Sequence, residues 1–339
     1  PRDGSNMCAD DSTLFVAMRD RAYRFDGQTG RLLRNFPVIG DDTANWGYIA
    51  NDGGLLFGGG VKPGSEYTKF KGTPYWYDST GTQDTAKVCS DNLFAIDRQT
   101  GRKQWEYRGG KIINTTIAIG DGRVYFVESN SSSLRNEPTS RIDSSSLWSS
   151  LRLVALSQQT GAKAWSKSIT VNKSPYPVVF FLAQAKDRLI LSYTTSRYYV
   201  DAFSTSNGSK VWSKNHSWNR NHHGGHMYHP VIVGDAVIVE PYGYSLSNGS
   251  TVHRGLPQRG GCSTMSASHN TVHYINWDYD KGSMYFWDVD TGKRRLMVGS
   301  RSSCWLSLIS GNGMILSPTA SSGCRCRYPI QTSIGFMRR

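Results

Sequence analysis

The sequence predicts an all-β fold, a single seven-bladed β-propeller of four-stranded blades, with residues 1–339 forming one domain. Three observations predict it. A strand followed by a Thr-Gly or Asn-Gly turn recurs six times, the turns ending at Gly30, Gly101, Gly161, Gly208, Gly249 and Gly292. Three of those turns share one spacing, Gly101-x-x-x-Trp105, Gly161-x-x-x-Trp165 and Gly208-x-x-x-Trp212, in which the glycine supplies a positive-φ turn and the indole packs between neighbouring sheets. No window carries a sustained helical stripe, while 35 Gly, 18 Tyr and 10 Trp favour short strands joined by tight turns.

Within each unit the strand ahead of the turn alternates, as in Asn92-Leu93-Phe94-Ala95-Ile96-Asp97 and Leu151-Arg152-Leu153-Val154-Ala155-Leu156. Ahead of it lies a hairpin, two apolar strands around a Gly/Asp turn, from Ile117 to Phe126 in one copy and from Val231 to Val239 in another. With the strand after the turn these make four, one blade. Successive turns stand 41 to 47 residues apart from Gly161 onward, but 71 apart from Gly30 to Gly101 and 60 from Gly101 to Gly161. The excess marks two insertions, residues 62–87, rich in Tyr, Trp and Gly, and residues 129–150, rich in Ser. Both fall between the second and third strands of their blades, on the face shared with the blade-connecting loops, here called the top face. The last copy, residues 304–336, keeps a Gly311-Asn312-Gly313 hairpin and lacks a fourth strand of its own. An N-terminal strand is expected to complete it and remove the exposed sheet edges.

The run Leu93-Phe94-Ala95-Ile96-Asp97-Arg98-Gln99-Thr100-Gly101-Arg102-Lys103-Gln104-Trp105 resembles the repeat of the PQQ-like propeller family, which includes quinoprotein dehydrogenases and outer-membrane assembly scaffolds. The pattern is degenerate and recurs over nearly the whole chain. The dehydrogenases in that family are usually larger and eight-bladed, with an adjacent Cys-Cys pair, a Trp floor under the quinone and a calcium held by acidic residues. This chain has no Cys-Cys pair, and Cys324-x-Cys326 departs from it; Asp278-Tyr279-Asp280-Lys281-Gly282 begins like a calcium loop but lacks the third oxygen ligand and the distant Glu. No bound PQQ is expected.

No apolar run approaches eighteen residues, so no transmembrane segment is predicted, and with no signal peptide at Pro1 the chain reads as mature and soluble. Its 39 Lys+Arg against 26 Asp+Glu give a formal charge of +13, which makes nucleic acid, acidic polysaccharide or an anionic membrane a natural partner, or serves solubility alone. Six cysteines, Cys8, Cys89, Cys262, Cys304, Cys324 and Cys326, suit disulfides stapling the top rim, with a Cys-rich metal site as the alternative. Together with six N-x-S/T sequons, at Asn114, Asn130, Asn172, Asn207, Asn215 and Asn248, they favour a secreted glycoprotein in an oxidising, extracytoplasmic setting.

Five of the eight histidines fall between His216 and His229, on the connection predicted between blades four and five. Imidazole is the commonest metal ligand and is readily tuned to accept a proton near neutral pH, so His222, His223, His226 and His229 are candidate catalytic groups and candidate ligands of one transition metal. The spacing matches no closed zinc motif, and a hydrogen-bonded loop packed on Trp218 and Tyr228 is the plainer reading. Tyr242 and Tyr244, predicted in the top loop of blade five, are candidate proton carriers; Arg220, Arg254 and Arg259 are candidate anion contacts. Serine-hydrolase, nucleotide-loop and dinucleotide motifs are all missing. The residues therefore point to a basic, polyanion-binding top face, with metal-assisted nuclease or polysaccharide-lyase chemistry as its enzymatic form. Two other readings remain: a non-catalytic scaffold binding a protein partner, and a secreted defence factor or toxin.

Overall fold

Period-two burial organises the first strands. In Thr13-Leu14-Phe15-Val16-Ala17-Met18 the odd positions are buried and Leu14 and Met18 face solvent, the pattern of a sheet with one covered face. The computed structural model describes residues 6–41, 44–65, 86–174, 176–217, 229–256, 264–276, 283–297, 299, 302, 308–311, 313–318 and 333–337. Its elements are antiparallel strands and three short 3-10 turns.

The first sheet is a four-stranded meander of β1 (Met7–Ala9), β2 (Thr13–Met18), β3 (Arg21–Asp26) and β4 (Leu32–Pro37). Next come β5 (Asn45–Asp52), β6 (Leu55–Val61), β7 (Lys87–Ser90), β8 (Asn92–Asp97) and β9 (Lys103–Tyr107), of which β5, β6, β8 and β9 pair in that order and β7 leaves the sheet. The third sheet is built from β10 (Lys111–Ile113), β11 (Ala118–Gly120), β12 (Arg123–Ser129), β13 (Arg141–Ile142), β14 (Leu151–Ser157) and β15 (Lys163–Ser168). Here β11, β12, β14 and β15 form the blade. Strand β10 pairs with the far end of β12, β7 pairs with β10, and β13 pairs with β7, so one sheet holds seven strands.

Three more four-stranded meanders follow, from Phe180–Ala185 to Lys210–His216, from Val231–Val233 to Thr251–Arg254, and from Ser266–Ser268 to Arg294–Met297. The last sheet has three strands among the described residues, Ile309–Gly311, Met314–Ser317 and Ile334–Met337. Among the described residues complete blades thus number six, where seven were expected. The strand expected to close the last blade is engaged elsewhere: β1 pairs with β2, Met7 opposite Val16. A tight turn makes that hairpin the local solution, with Asp10 Oδ1 accepting from the Ser12 and Thr13 amides and from Thr13 Oγ1 at 2.7 to 2.9 Å.

The chain divides into two compact units, residues 1–76, 81–191 and 203–210 in one and residues 77–80, 192–202 and 211–339 in the other. In the first unit the core lies between successive sheets. Phe15, Ala17, Ala22 and Phe36 pack on Trp46, Leu56, Phe94 and Ile96, and the other face of that second sheet, with Phe57, Leu93 and Ala95, packs on Val124, Phe126 and Val154. In the second unit Val233, Ala236 and Ile238 meet Val272, Tyr274, Tyr285 and Trp287 in the same way.

The repeated Gly-x-x-x-Trp spacing acts between blades. Trp105 Nε1 donates to the Gln158 carbonyl at 2.8 Å, Trp165 Nε1 to Thr205 at 2.9 Å and Trp212 Nε1 to Leu246 at 2.9 Å. Each indole also covers the next blade's turn glycine, so a Cβ at Gly161, Gly208 or Gly249 would stand 2.5 to 2.7 Å from a ring atom. Those glycines have φ near +70°, so glycine is required there for both conformation and space.

Candidate functional site

The described ends of the first insertion meet the second insertion in the first unit. Residues 62–87 run from β6 to the start of β7, and residues 129–150 join β12 to β14; the pairing of β7 with β10 and β13 ties the two together. Buried polar side chains brace this construction. Asn114 Oδ1 accepts from the Ser90 amide and hydroxyl at 3.1 and 2.7 Å, and its Nδ2 donates to the Gly47 carbonyl at 2.8 Å. Asn92 accepts from the Gly60 amide and donates to the Ile39 carbonyl and to Glu106 Oε1. Glu128, buried, accepts from Tyr107 OH and the Gly110 amide at 3.0 Å each. Burial first, and then the Glu128 carboxylate, holds the Tyr107 phenol well above its usual range.

Against this frame lie two cavities that share Asp91. One, of about 360 Å³, is lined by Asp91, Gly110, Lys111, Asn130, Ser131 and Arg135 among others. The other, of about 280 Å³, is lined by Gly40, Asp41, Lys62, Asp91, Asn92 and Arg108 among others. The segment carrying Leu134 and Arg135 walls the first and Pro138 walls the second, so both open along the second insertion. The buried Lys111 ammonium forms a close ion pair with Asp91 between them. Arg108 reaches Glu106 at 2.8 Å and Asp41 at 4.0 Å. Burial works to raise the Glu106 carboxyl, and the Asn92 hydrogen bond with the Arg108 and Lys103 charges outweighs it, leaving the group below its usual value. Lys62 donates to the Glu137 carbonyl and has no carboxylate partner among the described residues. Arg135, exposed, has none either.

Sequence reasoning placed the insertions together but singled out none of these charges. The signal was present in the Gly109-Gly110-Lys111 run after β9 and in the charged residues flanking both insertions.

Of the histidine cluster, His222, His223 and His226 lie outside the described residues, as do Arg220 and Arg259. His229 is half-buried, with Nδ1 3.2 Å from the Pro230 carbonyl. The root of the segment is His216, which is buried in the second unit. Its Nε2 bonds the Glu240 carbonyl at 3.0 Å, and its Nδ1 bonds Tyr244 OH at 2.9 Å. Tyr198 stacks on the ring and Tyr242 meets it edge-on. This arrangement makes Nε2–H the donor and Nδ1 the acceptor of a neutral imidazole. Burial holds its pKa below the usual value, the Glu240 carbonyl opposing and Arg197 adding to the shift.

Tyr242 and Tyr244, expected in a loop, lie on the strand Tyr242–Ser245 instead. The turn is shorter than anticipated, Glu240 and Pro241 alone, because Val239 already pairs with Tyr242. Tyr244 is buried, and burial together with Tyr242 pushes its phenol up to about 12. Arg254 stands exposed opposite Tyr242 at the end of the neighbouring strand.

Cys8 is a half-buried thiol in β1, and no disulfide joins it to another of the described residues. Burial, then Asp10, raises its pKa to about 12. Buried Cys89 points its sulfur at the Lys87 carbonyl 3.6 Å away; Cys262, Cys304, Cys324 and Cys326 lie outside the described residues. Among the described residues no group of three or more His, Cys, Asp or Glu converges to hold a metal ion, and no helix is long and apolar enough to cross a membrane. Of the six sequon asparagines Asn114 is buried and the other five are exposed.

Comparison with known proteins places this geometry in a family. The sequence profile described as outer membrane protein assembly factor BamB matches residues 79–296. Among solved structures, BamB from Moraxella catarrhalis superposes with a TM-score of 0.55 at 11% identity, over 98% of this chain and 82% of that one. The WD40 domain of Neurospora crassa Pan2 gives a TM-score of 0.50 at 9% identity, over 92% and 84%. At such identities the likeness shows the fold, an all-β propeller of four-stranded blades. No curated protein matches the chain in sequence.

Proposed function

Since the chain belongs to the family described as outer membrane protein assembly factor BamB, we propose that it is a non-catalytic interaction scaffold, docking a protein partner on the face built by its two insertions. One observation carries this reading: β13, from the second insertion, pairs with β7, the strand into which the first insertion leads, beside a trough of two cavities braced by buried hydrogen bonds. A loop that is only filler has no use for such bracing, whereas a docking surface gains affinity from being held in shape before the partner arrives. A family described by outer-membrane assembly is in keeping with an extracytoplasmic partner.

Bulk added to that face tests the reading. In co-purification of the tagged chain from its natural host, Ser133→Trp, on the exposed second insertion, is expected to lose a partner that the unaltered chain retains. Thr160→Trp is expected to keep it. Thr160 sits in the turn at the opposite end of the same sheet, since β12 and β14 pair Ser129 with Leu151 at one end and Arg123 with Ser157 at the other. Equal retention by both variants overturns the reading.

A second reading rests on the formal charge of +13: a polyanion-binding face around His222, His223, His226 and His229, with Arg220, Arg254 and Arg259 as anion contacts and a transition metal on the histidines. It expects retention on heparin or DNA that falls steeply with salt, and about one bound metal per chain that is lost when the four histidines become alanine. Weak retention at low salt rules it out.

A further inference from the structure

The trough differs from a generic basic patch in which of its charges are already neutralised. Lys111 is paired with Asp91, and Arg108 with Glu106 and Asp41. Lys62 in one cavity and Arg135 in the other have no carboxylate partner among the described residues. Among the described residues the trough therefore presents two positive charges without a carboxylate partner, on either side of a neutral ion pair, along a wall only a few residues long, from Arg135 to Pro138.

Gly40, Gly60, Gly109 and Gly110 also line the cavities, and the space beside them is filled from within the chain by Asn92, Glu128, Tyr107 and Asn130. Among the described residues no aromatic ring lines either cavity, and the cations Lys62 and Arg135 are what those walls offer an acidic ligand.

We propose that the trough receives a short acidic segment of the partner protein, with carboxylates of that segment pairing with Lys62 and Arg135. This rests on the reading of the insertion face as a docking surface and names the chemistry of what docks there. The guanidinium of Arg135 suits bidentate carboxylate recognition.

The test uses the full chain and fluorescence anisotropy with three labelled probes of equal length: an eight-residue Glu/Ser peptide, its Gln/Ser counterpart, and an eight-nucleotide single-stranded DNA. The acidic peptide is expected to bind saturably at low salt and the neutral one not to bind. Arg135→Glu and Lys62→Glu are each expected to weaken binding about tenfold or more, and Lys163→Glu, an equal charge change on an exposed strand of the same unit, to leave it unchanged. The Arg135 side chain is exposed and has no carboxylate partner among the described residues, so its replacement tests the site without breaking an ion pair shown there. Failure of the acidic peptide to bind, equal weakening by Lys163→Glu, or DNA binding as tight as the peptide's and equally sensitive to Arg135→Glu would each overturn the proposal. If Ser133→Trp still releases the natural partner while the acidic peptide does not bind, the docking face stands and its acidic occupant does not.

Discussion

Trp105 shows how much one side chain does in this fold. Its indole is buried, donates to a carbonyl of the next blade and covers the turn glycine of that blade at Gly161. Trp105→Ala should cost about 3–5 kcal/mol of unfolding free energy by denaturant titration, because a cavity and an unpaired carbonyl remain. His273 gives the molecule a pH dependence. It is buried beside Phe286, and burial lowers its pKa to about 4. The folded state holds it neutral while the unfolded state takes a proton near pH 6.5, so its stabilisation is full above about pH 6.5 and is lost as pH falls toward 4, at most about 3 kcal/mol. His273→Gln should flatten the stability profile across that window; an unchanged slope would remove this assignment. Asn114 carries a sequon but is buried with both amide ends bonded, so expression in a glycosylating host should leave it unmodified by mass spectrometry, whatever happens at exposed Asn207 and Asn248.

At the scale of the element, the glycine turns were legible because they are local: a Thr or Asn before a positive-φ glycine fixes a hairpin with little help from elsewhere. The tryptophan spacing was legible for the same reason, and the structure adds its cross-blade bonds. The lock also has a limit. After Gly249 the fourth position is His253, whose ring meets Trp287 edge-on, and Gly292 has open space around it. Gly161→Ala should therefore cost about 2 kcal/mol or more, from backbone strain plus a 2.7 Å approach to Trp105, and Gly292→Ala only about 1 kcal/mol, from strain alone. Equal costs would show that the indole yields freely. The closing strand was misjudged because a long-range pairing with the last blade leaves no local mark, whereas the Asp10 turn that captures β1 in a hairpin does. Tyr244 was misplaced because Glu-Pro-Tyr-Gly-Tyr has the composition of a loop, while its second tyrosine is drawn inside by His216.

Across the molecule, the most regular features carry the least function. The blades repeat one core pattern, and what distinguishes this chain is the seven-stranded sheet that its insertions create. The sequence marked where those insertions begin and end, by broken spacing, but the pairing of β13 with β7 joins residues more than fifty apart and has no periodicity to reveal it. The trough charges escaped notice for a related reason: Lys62, Asp91, Arg108 and Arg135 come from four separate stretches. The most direct measurement of the central claim is site-specific photo-crosslinking in the natural host, with the photoreactive residue at Ser133 on the insertion face or at Thr160 at the opposite end of the same sheet. A scaffold that docks its partner on the insertions predicts one discrete protein adduct from position 133 and none from position 160. Adducts of equal yield from both positions, or none from position 133, would contradict it.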